Sequence, residues 1–598
     1  MGLDCDKEVA MNRLGPFVVC LATPALIAVL LALNGCGSSS SSSTPAPGSY
    51  SLAATALSPA SITAGSTSSS TLTLTPANGY SGSVTLSCGA LSGSAAPACS
   101  FSPNPVSVSG TAAATSALTV STTANTPGGS YTISVTGSDT AKLAPSNGPQ
   151  SLALTTAAVI QRVVVIFQEN RTPDNLFQGL CIPPYGSASA CGTAPNQYNI
   201  AQSGLSSSGQ ITLSPIDLGT AGASPQNYDL SHENSAFVEM YDGGKMDGAD
   251  MIQCYPQINV VCPKNPQYMY VIPTDVAPYI AMAQQYTFGD QMFQTNEGPS
   301  FPAHQFIYGG TSAPSATSTL FAAENPGVSP AGCIGPSTET VTMINADGSE
   351  TAQPGQYPCF EHQTLSDLLD AKGLTWRYYA PSAGSIWTAP DAIDHVCQPQ
   401  TINNVLTCTG PDWTGSVVIP EWQVLEDISN GNLAQVSWVI PDGAHSDHAS
   451  SNNGSGPSWV TSIVNAIGNS QYWANTAIII TWDDWGGWYD HVAPKVINDG
   501  VSWGSGYVYG FRVPLVVVSP YAKAKYISHV THDFGSILNF IETTYGLPSL
   551  GYADAYADNL SDCFDLTQSP IAFQTISAPV GAASFINNKS APIDPDDD

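Results

Sequence analysis

The chain has 598 residues, of which 42% are hydrophobic and only 10% are charged, so it is long enough for two or three domains with large cores. Its 45 acidic residues outnumber the 14 lysines and arginines, which gives a net charge of -31. An excess of this size disfavours nucleic-acid backbones and anionic lipid surfaces, so we expect no nucleic-acid partner, although a bound cation can reverse the field at one site.

The first segment, residues 1–36, has the layout of an export signal. From Met11, which we take as the translation start, a single Arg13 precedes an apolar run that ends in Leu-Asn-Gly-Cys. These four residues resemble a bacterial lipobox, which predicts a lipid on Cys36 that anchors the exported protein in the cell envelope or periplasm. A transmembrane anchor is the alternative, but the run is shorter than the roughly 20 residues that a span needs.

The next two segments carry little charge. Residues 37–48 form a Ser/Pro tether. Residues 49–157 contain short alternating runs such as STLTLTP and SYTISVTG, separated by turn residues, which predict a small antiparallel β-sandwich. The segment resembles the immunoglobulin-like modules of exported bacterial proteins. It contains no constellation of titratable residues, so we expect a spacer or adhesion role.

The composition changes near residue 158. Apolar runs (VVVIF, VSWVI, AIIIT and VPLVVVS) alternate from here with helix-like segments such as 364–372 and 534–544. Apolar strands that alternate with helices predict an α/β domain whose mainly parallel sheet is flanked by helices on both faces. We place this catalytic domain at residues 158–566, followed by a C-terminal tail, residues 567–598, whose end we expect to be loose.

The cysteines agree with export. Past Cys36, ten cysteines fall into neighbouring couples and Cys563 is left over. Couples this close in sequence predict local disulfides in an oxidising compartment.

Two apolar strands, far apart in the sequence, each end on oxygen-bearing side chains. VVVIF leads into Glu169 and Asn170, and AIIIT leads into Asp483 and Asp484. Sites in open parallel sheets form outside the carboxyl ends of the strands. One amide and three carboxylates suit a hard divalent cation, so these residues predict a metal site. The alternative is that each pair caps a helix or binds the amides of a turn.

Ser300 and three histidines are the candidate catalytic residues. Ser300 follows Gly-Pro at the start of a predicted helix, where a nearby cation would favour a nucleophilic hydroxyl; a helix-capping serine is the alternative. His232, His448 and His491 follow apolar strands or lie beside the metal candidates, and histidine suits proton donation near neutral pH. His304 carries no comparable signal.

These motifs together carry a family resemblance. ENRTPDNLFQG, KMDGAD, EGPSFPAH, SDHAS and TAIIITWDDWGGWYDHV occur in this order within residues 163–549. The ordered set resembles the bacterial phosphoesterase family that contains phospholipase C and a respiratory-burst-inhibiting acid phosphatase. The resemblance implies an alkaline-phosphatase-like α/β fold behind the immunoglobulin-like sandwich. It also implies the site residues: metal ligands Glu169, Asn170, Asp483 and Asp484, nucleophile Ser300, and phosphate-contacting or acid/base residues His232, His448 and His491.

The implied function is metal-dependent hydrolysis of phosphoric esters through a phosphoserine, with the metal unidentified. A serine at position 300, and a chain that stops soon after the domain, favour a phosphomonoesterase of the acid phosphatase type. Phospholipase C acting on phosphodiesters is the alternative within this chemistry, and a non-catalytic adhesion lipoprotein is the alternative of another class. Asp484 departs from the family, where glutamate is usual. Arg171 and Asp174 are expected to pair and to fix the loop after the first strand.

Overall fold

The computed structural model describes residues 46–93, 95–218, 228–256, 261–497, 508–588 and 592. The predicted signal, Cys36 with its predicted lipid, and the acidic end of the tail lie outside these residues. The described residues form a β-sandwich followed by an α/β domain. In this part of the chain, no helix combines the length and the apolar character that crossing a bilayer requires.

The strands of the sandwich are β1 (Ser49–Ala54), β2 (Ser61–Thr63), β3 (Thr67–Ala77), β4 (Gly82–Cys88), β5 (Ala98–Ser102), β6 (Val106–Val108), β7 (Ala114–Ser121), β8 (Gly129–Ser138) and β9 (Gln150–Ala157). Among the described residues, one sheet has the order β1-β3-β7-β5 and the other the order β2-β9-β8-β4-β6. Buried and exposed residues alternate along most of these strands, and the buried ones form one hydrophobic core between the sheets.

The strands of the α/β domain are β10 (Arg162–Gln168), β11 (Ser203–Ser206), β12 (Gly209–Thr212), β13 (Ser214–Ile216), β14 (Tyr228–Leu230), β15 (Cys254–Pro256), β16 (Met269–Val271), β17 (Thr287–Gly289), β18 (Leu320–Ala322), β19 (Met343–Asn345), β20 (Trp376–Tyr379), β21 (Pro399–Ile402), β22 (Val405–Cys408), β23 (Val417–Val418), β24 (Val436–Val439), β25 (Thr476–Trp482), β26 (Leu515–Val518) and β27 (Tyr526–Ser528). Its α-helices are α1 (Pro173–Leu176), α2 (Asn234–Tyr241), α3 (Ala277–Gln285), α4 (Ser300–Gly309), α5 (Leu365–Lys372), α6 (Asp394–Cys397), α7 (Pro411–Ser416), α8 (Gln423–Asn430), α9 (Gly456–Gly468), α10 (Phe534–Tyr545) and α11 (Ala582–Asn587).

The large sheet of this domain is mainly parallel, as predicted. Its strand order in the described residues is β23-β20-β24-β10-β25-β26-β17-β27. Only β26 among these runs against its neighbours. The two strands that precede the acidic pairs, β10 and β25, lie side by side at its centre. Strand β10 is buried from Val163 onward, and β25 is buried along its whole length. This burial explains their continuous apolar sequence.

Strand β26 is antiparallel to both of its neighbours, whereas the run VPLVVVS that contains it was predicted to join a mainly parallel sheet. The described part of its connection to β25, residues 483–497 and 508–514, contains no helix. A parallel return requires a crossover to the other end of the sheet, usually through a helix. Because the chain stays at the edge where β25 ends, β26 starts there and runs back.

Two predicted helices are confirmed, and each has a recognisable start. Helix α5 begins after Thr364 in a capping box with Asp367, and α10 begins after Asp533 in a capping box with Ser536. The tail is ordered further than expected. Phe573 packs on Trp473 with ring centroids 4.9 Å apart, and α11 docks onto α8 and α9.

The cysteine pairing is confirmed in full. The disulfides are Cys88–Cys99, Cys181–Cys191, Cys254–Cys262, Cys333–Cys359 and Cys397–Cys408. Cys563 is a free cysteine and is buried.

Candidate active site

The parallel pairing of β10 with β25 brings the two acidic strand ends together. Gln168 pairs with Trp482 in this register, so the residues that follow each of them are neighbours. The backbone N–H of Asn170 donates to Asp483 Oδ1 at 3.1 Å. Glu169, Asn170, Asp483 and Asp484 are all buried. The predicted ligands from these two distant segments therefore converge at one edge of the sheet.

The backbone at this edge bends sharply. Asn170 has a φ of 62°, in the left-handed region that asparagine tolerates better than most residues. Gly486, with a φ of 61°, passes so close that a Cβ there would come within 2.5 Å of the Asn170 carbonyl oxygen. Glycine at 486 thus lets the turn after Asp484 pack directly on Asn170.

Ser300 begins helix α4 and points into the same acidic group. Its Oγ donates to Asp484 Oδ2 at 3.1 Å, while Asp484 Oδ1 accepts from the Gly486 N–H at 2.7 Å. Ser300 is 1% exposed. The side chain therefore points at the carboxylates and does not cap α4, which has no side-chain cap hydrogen bond.

His304 joins this site, although it was not among the residues selected from the sequence. Its Nε2 lies 3.3 Å from Glu169 Oε1 and 3.7 Å from Asp483 Oδ2. The two acidic groups and the imidazole are completely buried. Burial lowers the pKa of His304 to about 4, so the imidazole is neutral, which is the form that binds metal ions. The signal was its position four residues after Ser300, which places both on one face of α4.

The electrostatics of the cluster call for a positive charge. Burial raises the pKa of Glu169 well above its usual value, and the carboxylates of Asp483 and Asp484 add to this effect. Burial and Asp483 do the same to Asp484. Asp483 Oδ2 is buried without a hydrogen-bond partner. Buried carboxylates that face one another are stable in their charged form only when a cation or several donors compensate them.

The carboxamide of Asn170 lies between the carboxylates and two histidines. One terminal atom is 3.2 Å from Glu169 Oε2 and 3.0 Å from Asp483 Oδ1, and the other is 3.0 Å from His232 Nε2 and 3.1 Å from His448 Nε2. With its oxygen toward the carboxylates, the amide is favourable only if a cation lies among them; otherwise the reversed amide satisfies both sides. The donor set and the unpartnered Asp483 oxygen together fit a divalent metal ion.

His232 and His448 approach the site from two other segments. His232 Nδ1 lies 2.8 Å from the Leu230 carbonyl oxygen, and His448 Nδ1 lies 2.5 Å from the Ala449 carbonyl oxygen. A carbonyl oxygen only accepts, so each Nδ1 carries a proton and each Nε2 faces the site. Both rings are 1% exposed. Nε2 of each ring meets the Asn170 amide on the side of the site, at 3.0 and 3.1 Å.

The loop after β10 is held by contacts other than the expected pair. Arg171 donates from Nε to the Asp447 carbonyl oxygen at 2.8 Å and from Nη1 to Asn175 Oδ1 at 3.3 Å. Asp174 instead bonds His491 and lies 3.5 Å from Arg512 Nη2. The predicted pair of Arg171 and Asp174 is therefore wrong, because each residue bonds other groups. Both residues nevertheless hold this loop in place.

Asp447 is a second residue that the sequence did not single out. Its Oδ2 accepts from Tyr279 Oη at 2.9 Å and from Trp482 Nε1 at 3.0 Å. Burial raises the pKa of Asp447 to about 6. Because Trp482 precedes Asp483, and Asp447 precedes His448, this carboxylate connects the end of β25 to the histidine segment.

His491 is not brought into this site. Its Nδ1 lies 2.7 Å from Asp174 Oδ2 and its Nε2 lies 3.0 Å from Asn199 Oδ1. Burial alone would lower the pKa of His491, but the Asp174 carboxylate raises it above the usual value. Arg512 and Asp490 complete the group through hydrogen bonds of 2.8 Å. Both ring nitrogens of His491 are occupied, so these contacts place it in a structural cluster.

A polar pocket of about 320 Å³ opens beside His232. It is lined by Glu233, Glu324, Asn325, Pro299 and Thr342 in addition to that histidine. Among these lining residues, two carry carboxylates and none is a lysine or arginine. Pro299, one of the lining residues, directly precedes Ser300 in the chain.

Comparison with known proteins identifies the family. The Phosphoesterase family profile matches residues 160–548. The non-hemolytic phospholipase C of Pseudomonas aeruginosa is 23% identical over 421 residues, which cover 65% of this chain and 54% of that protein. The hemolytic phospholipase C of the same organism is 25% identical over 424 residues, covering 65% and 53%. The chain thus spans about half the length of the curated relatives it matches.

Solved structures give only a weak likeness. A protein of the alkaline phosphatase superfamily from Vibrio parahaemolyticus covers 68% of this chain and 72% of its own, with 11% identity and a TM-score of 0.29. The superfamily assignment of the fold therefore stays a prediction. The profile match, in contrast, covers well over half of the chain and includes both acidic strand ends, Ser300 and the histidines around them. The protein belongs to the Phosphoesterase family.

Proposed function

We propose that this chain hydrolyses phosphoric esters through a covalent phosphoserine at Ser300. The observation that carries the proposal is the hydrogen bond of 3.1 Å from Ser300 Oγ to Asp484 Oδ2, within a buried group of carboxylates at the strand ends. A hydroxyl beside a carboxylate base and a cation site has what covalent catalysis requires. The family match and the relatives named phospholipase C support the same class of reaction.

A divalent cation is part of this proposal. Glu169, His304 and Asp483 present ligand atoms that lie within 4.8 Å of one another, and Asn170 and Asp484 adjoin them. When bound there, such a cation would lower the pKa of the serine hydroxyl and take up negative charge from the phosphoryl oxygens.

The protein groups then divide the proton transfers. Ser300 Oγ attacks phosphorus while Asp484 takes the hydroxyl proton, and the bond from phosphorus to the alcohol oxygen breaks. His232 or His448 donates a proton from Nε2 to that oxygen, so the alcohol leaves neutral. Water next attacks the phosphoserine and gives its proton to the same histidine. The bond from phosphorus to Oγ breaks, and Asp484 returns the proton to Ser300.

The pocket beside His232 supports a phosphomonoester of a small polar alcohol as the first candidate substrate. Its lining is polar except for Pro299, and its volume of about 320 Å³ is at the small end of ligand pockets. A phosphodiester, hydrolysed as by a phospholipase C, is the second candidate, which the names of the relatives favour. In that case the pocket would hold the small substituent on the phosphate and leave acyl chains outside.

One set of assays tests this function. The purified protein is given p-nitrophenyl phosphate and phosphatidylcholine vesicles, each with and without chelator, and acid-quenched protein is examined for phosphate on Ser300. We expect the Ser300→Ala variant to lose at least about 10⁴-fold in kcat, since no covalent route remains. Ser312→Ala is the matched control, because Ser312 is buried and its Oγ donates to the Ala322 carbonyl oxygen, away from the acidic cluster.

The outcomes separate the candidates. Hydrolysis of the monoester alone supports a phosphatase, and lipid hydrolysis supports a phospholipase C. A fully active Ser300→Ala variant contradicts the phosphoserine. Inactivity of the parent protein on both esters with every divalent metal would leave an adhesion protein as the better description.

We further propose that the sandwich is an immunoglobulin-like spacer on an exported, lipid-anchored protein. The orders β1-β3-β7-β5 and β9-β8-β4 correspond to the two sheets of that class, A-B-E-D and G-F-C. The disulfides support an oxidising compartment. Labelling with radioactive palmitate tests the anchor, and a Cys36→Ala variant that still carries label would contradict it.

A further inference from the structure

A second group of ligand-type side chains lies apart from the active-site cluster. It consists of Glu421, just before α8, and of Asp442 and His445, in the segment after β24. One oxygen or nitrogen atom of each residue lies within 4.8 Å of the others. The three residues are almost fully buried, with exposed fractions of 3%, 5% and 8%.

The polar atoms of this group are poorly satisfied by protein. His445 Nδ1 lies 2.7 Å from Asp442 Oδ1, yet the contact does not follow the direction of an N–H bond, so this buried nitrogen has no hydrogen-bond partner. Asp442 Oδ1 accepts instead from the backbone N–H of His445 at 2.9 Å. Within the described ranges, Glu421 accepts from backbone only. In the part of the chain that the structure describes, no lysine or arginine pairs with either carboxylate.

From this geometry we propose that Glu421, Asp442 and His445 bind a second divalent cation. An imidazole nitrogen together with two carboxylates is a ligand set for Zn²⁺ or Mn²⁺, whereas Ca²⁺ takes oxygen ligands. A cation would compensate both carboxylates and give the unpartnered Nδ1 a bond. The alternative without a cation is a neutral, protonated Glu421 beside a histidine–aspartate pair.

The energetics of Glu421 support the cation. Burial raises the pKa of Glu421 to about 8, and the neighbouring Asp442 carboxylate contributes. One carboxylate oxygen of Glu421 lies within 4.8 Å of one of Asp442. Two buried carboxylates this close are compatible in their charged form only with a positive charge beside them.

The position of the group indicates what a cation there would do. His445 is three residues before the active-site His448, and its carbonyl oxygen accepts from Gln168 Nε2 at 3.3 Å, next to Glu169. Phe585 of α11 packs edge-on against the His445 ring with centroids 5.1 Å apart. A cation would thus tie together the start of α8, the segment that carries His448 and the face covered by the tail helix.

Counting cations tests this proposal without altering the group itself. The full chain is loaded with Zn²⁺ or Mn²⁺, desalted and weighed by native mass spectrometry. We expect two cations on the parent protein and one on the double variant Glu169→Gln/Asp483→Asn, which removes active-site ligands. No cation on that variant would overturn the second site.

Substitution within the group gives the complementary result. Glu421→Gln is expected to retain only the active-site cation, and unchanged cation content would contradict the proposal. Glu361→Gln is the matched control, because Glu361 contacts His395 at 3.0 Å in a more exposed acidic group and should leave the count unchanged. A parent protein with a single cation, lost on Glu421→Gln but kept on the active-site variant, would uphold the second site and contradict the active-site cation.

Discussion

His304 is the residue whose role in the site has the clearest measurable consequence. It is neutral and fully buried, and its Nε2 faces Glu169 and Asp483. We predict that His304→Gln weakens binding of the divalent cation by about 10- to 100-fold, as for other changes among metal-binding residues. Competition with a coloured chelator measures this affinity directly.

His362→Gln is the control for His304. His362 is also a buried histidine whose pKa is lowered, chiefly by burial, but its Nδ1 contacts the Gln363 carbonyl oxygen. Its substitution should change stability and leave cation affinity as it was. Equal loss of affinity in both variants would show that burial of a histidine, and not ligation, explains the effect.

A second prediction concerns Glu324 and the preference among substrates. Glu324 lines the pocket beside His232, and burial raises its pKa to about 8. An ammonium group in the pocket would stabilise its carboxylate, so we expect phosphoethanolamine to be preferred over glycerol 2-phosphate. Glu324→Gln should reduce the ratio of the two kcat/KM values by about tenfold, which corresponds to roughly 1.4 kcal/mol.

The same assays contain the control for the pocket. Glu339, which is buried and accepts from the Gly327 N–H, is not among the pocket residues. Glu339→Gln should keep the preference of the parent protein. A parent protein that does not distinguish the two esters would contradict the ammonium-binding role.

The sequence predicted most of the central residues and missed those that depend on packing. The acidic pairs were visible because each follows a continuous apolar strand. His304 was missed because its one signal, the spacing of four residues from Ser300 within a helix, gains meaning only once the partner strand ends are placed. His491 was included for the opposite reason: it lies close in sequence to Asp483, but the chain turns away and pairs it with Asp174.

At the scale of elements, one charged contact joins two short helices and makes stability depend on pH. His395 of α6 has Nε2 3.2 Å from Asp367 Oδ1 on α5 and Nδ1 3.0 Å from Glu361 Oε1. Asp367 chiefly raises the pKa of His395 to about 9, with Glu361 adding to the effect. A raised pKa stabilises the fold below the unfolded value of about 6.5, and the contribution is lost as pH rises through 9.

The prediction is a difference between pH 6 and pH 10. His395→Gln should lower the free energy of unfolding by about 1 kcal/mol at pH 6, a value discounted for partial exposure of the contact, and by much less at pH 10. Urea unfolding at both pH values measures it. Asp367→Asn should have the same pH dependence, and the double variant should add little to either change. A constant effect from pH 6 to pH 10 would contradict the ion pair.

Elements were predictable where local sequence decides them. Helices α5 and α10 combine capping residues with amphipathic runs, and β10, β24 and β25 are continuous apolar segments. The direction of β26 was not predictable, because a buried apolar strand has the same composition whether it runs parallel or antiparallel to its neighbours. That direction follows from where the connecting chain re-enters the sheet, which is a tertiary property.

At the scale of the whole molecule, the change in composition near residue 158 predicts a junction, but it does not predict the contacts there. The N–H of Ala158 donates to the Leu566 carbonyl oxygen at 2.7 Å, so the junction is bonded to the segment directly before the tail. The N–H of Gly128, in the sandwich, donates to Tyr521 Oη at 3.2 Å. These contacts join segments several hundred residues apart, a relation that no local pattern encodes.

Gly128 therefore offers a test of whether the two parts unfold together. It is buried, and a Cβ there would collide with the Leu566 carbonyl oxygen and lie 3.1 Å from the Tyr521 ring. We predict that Gly128→Ala weakens the contact between the two parts by about 1–3 kcal/mol, as overpacking does elsewhere. The single melting transition should then separate into two calorimetric transitions. Gly89→Ala is the control in the same sandwich, since its nearest neighbour would be Ser134 Cβ at an ordinary 3.4 Å. A single transition in Gly128→Ala, at the temperature where Gly89→Ala melts, would show that this contact does not determine whether the two parts unfold together.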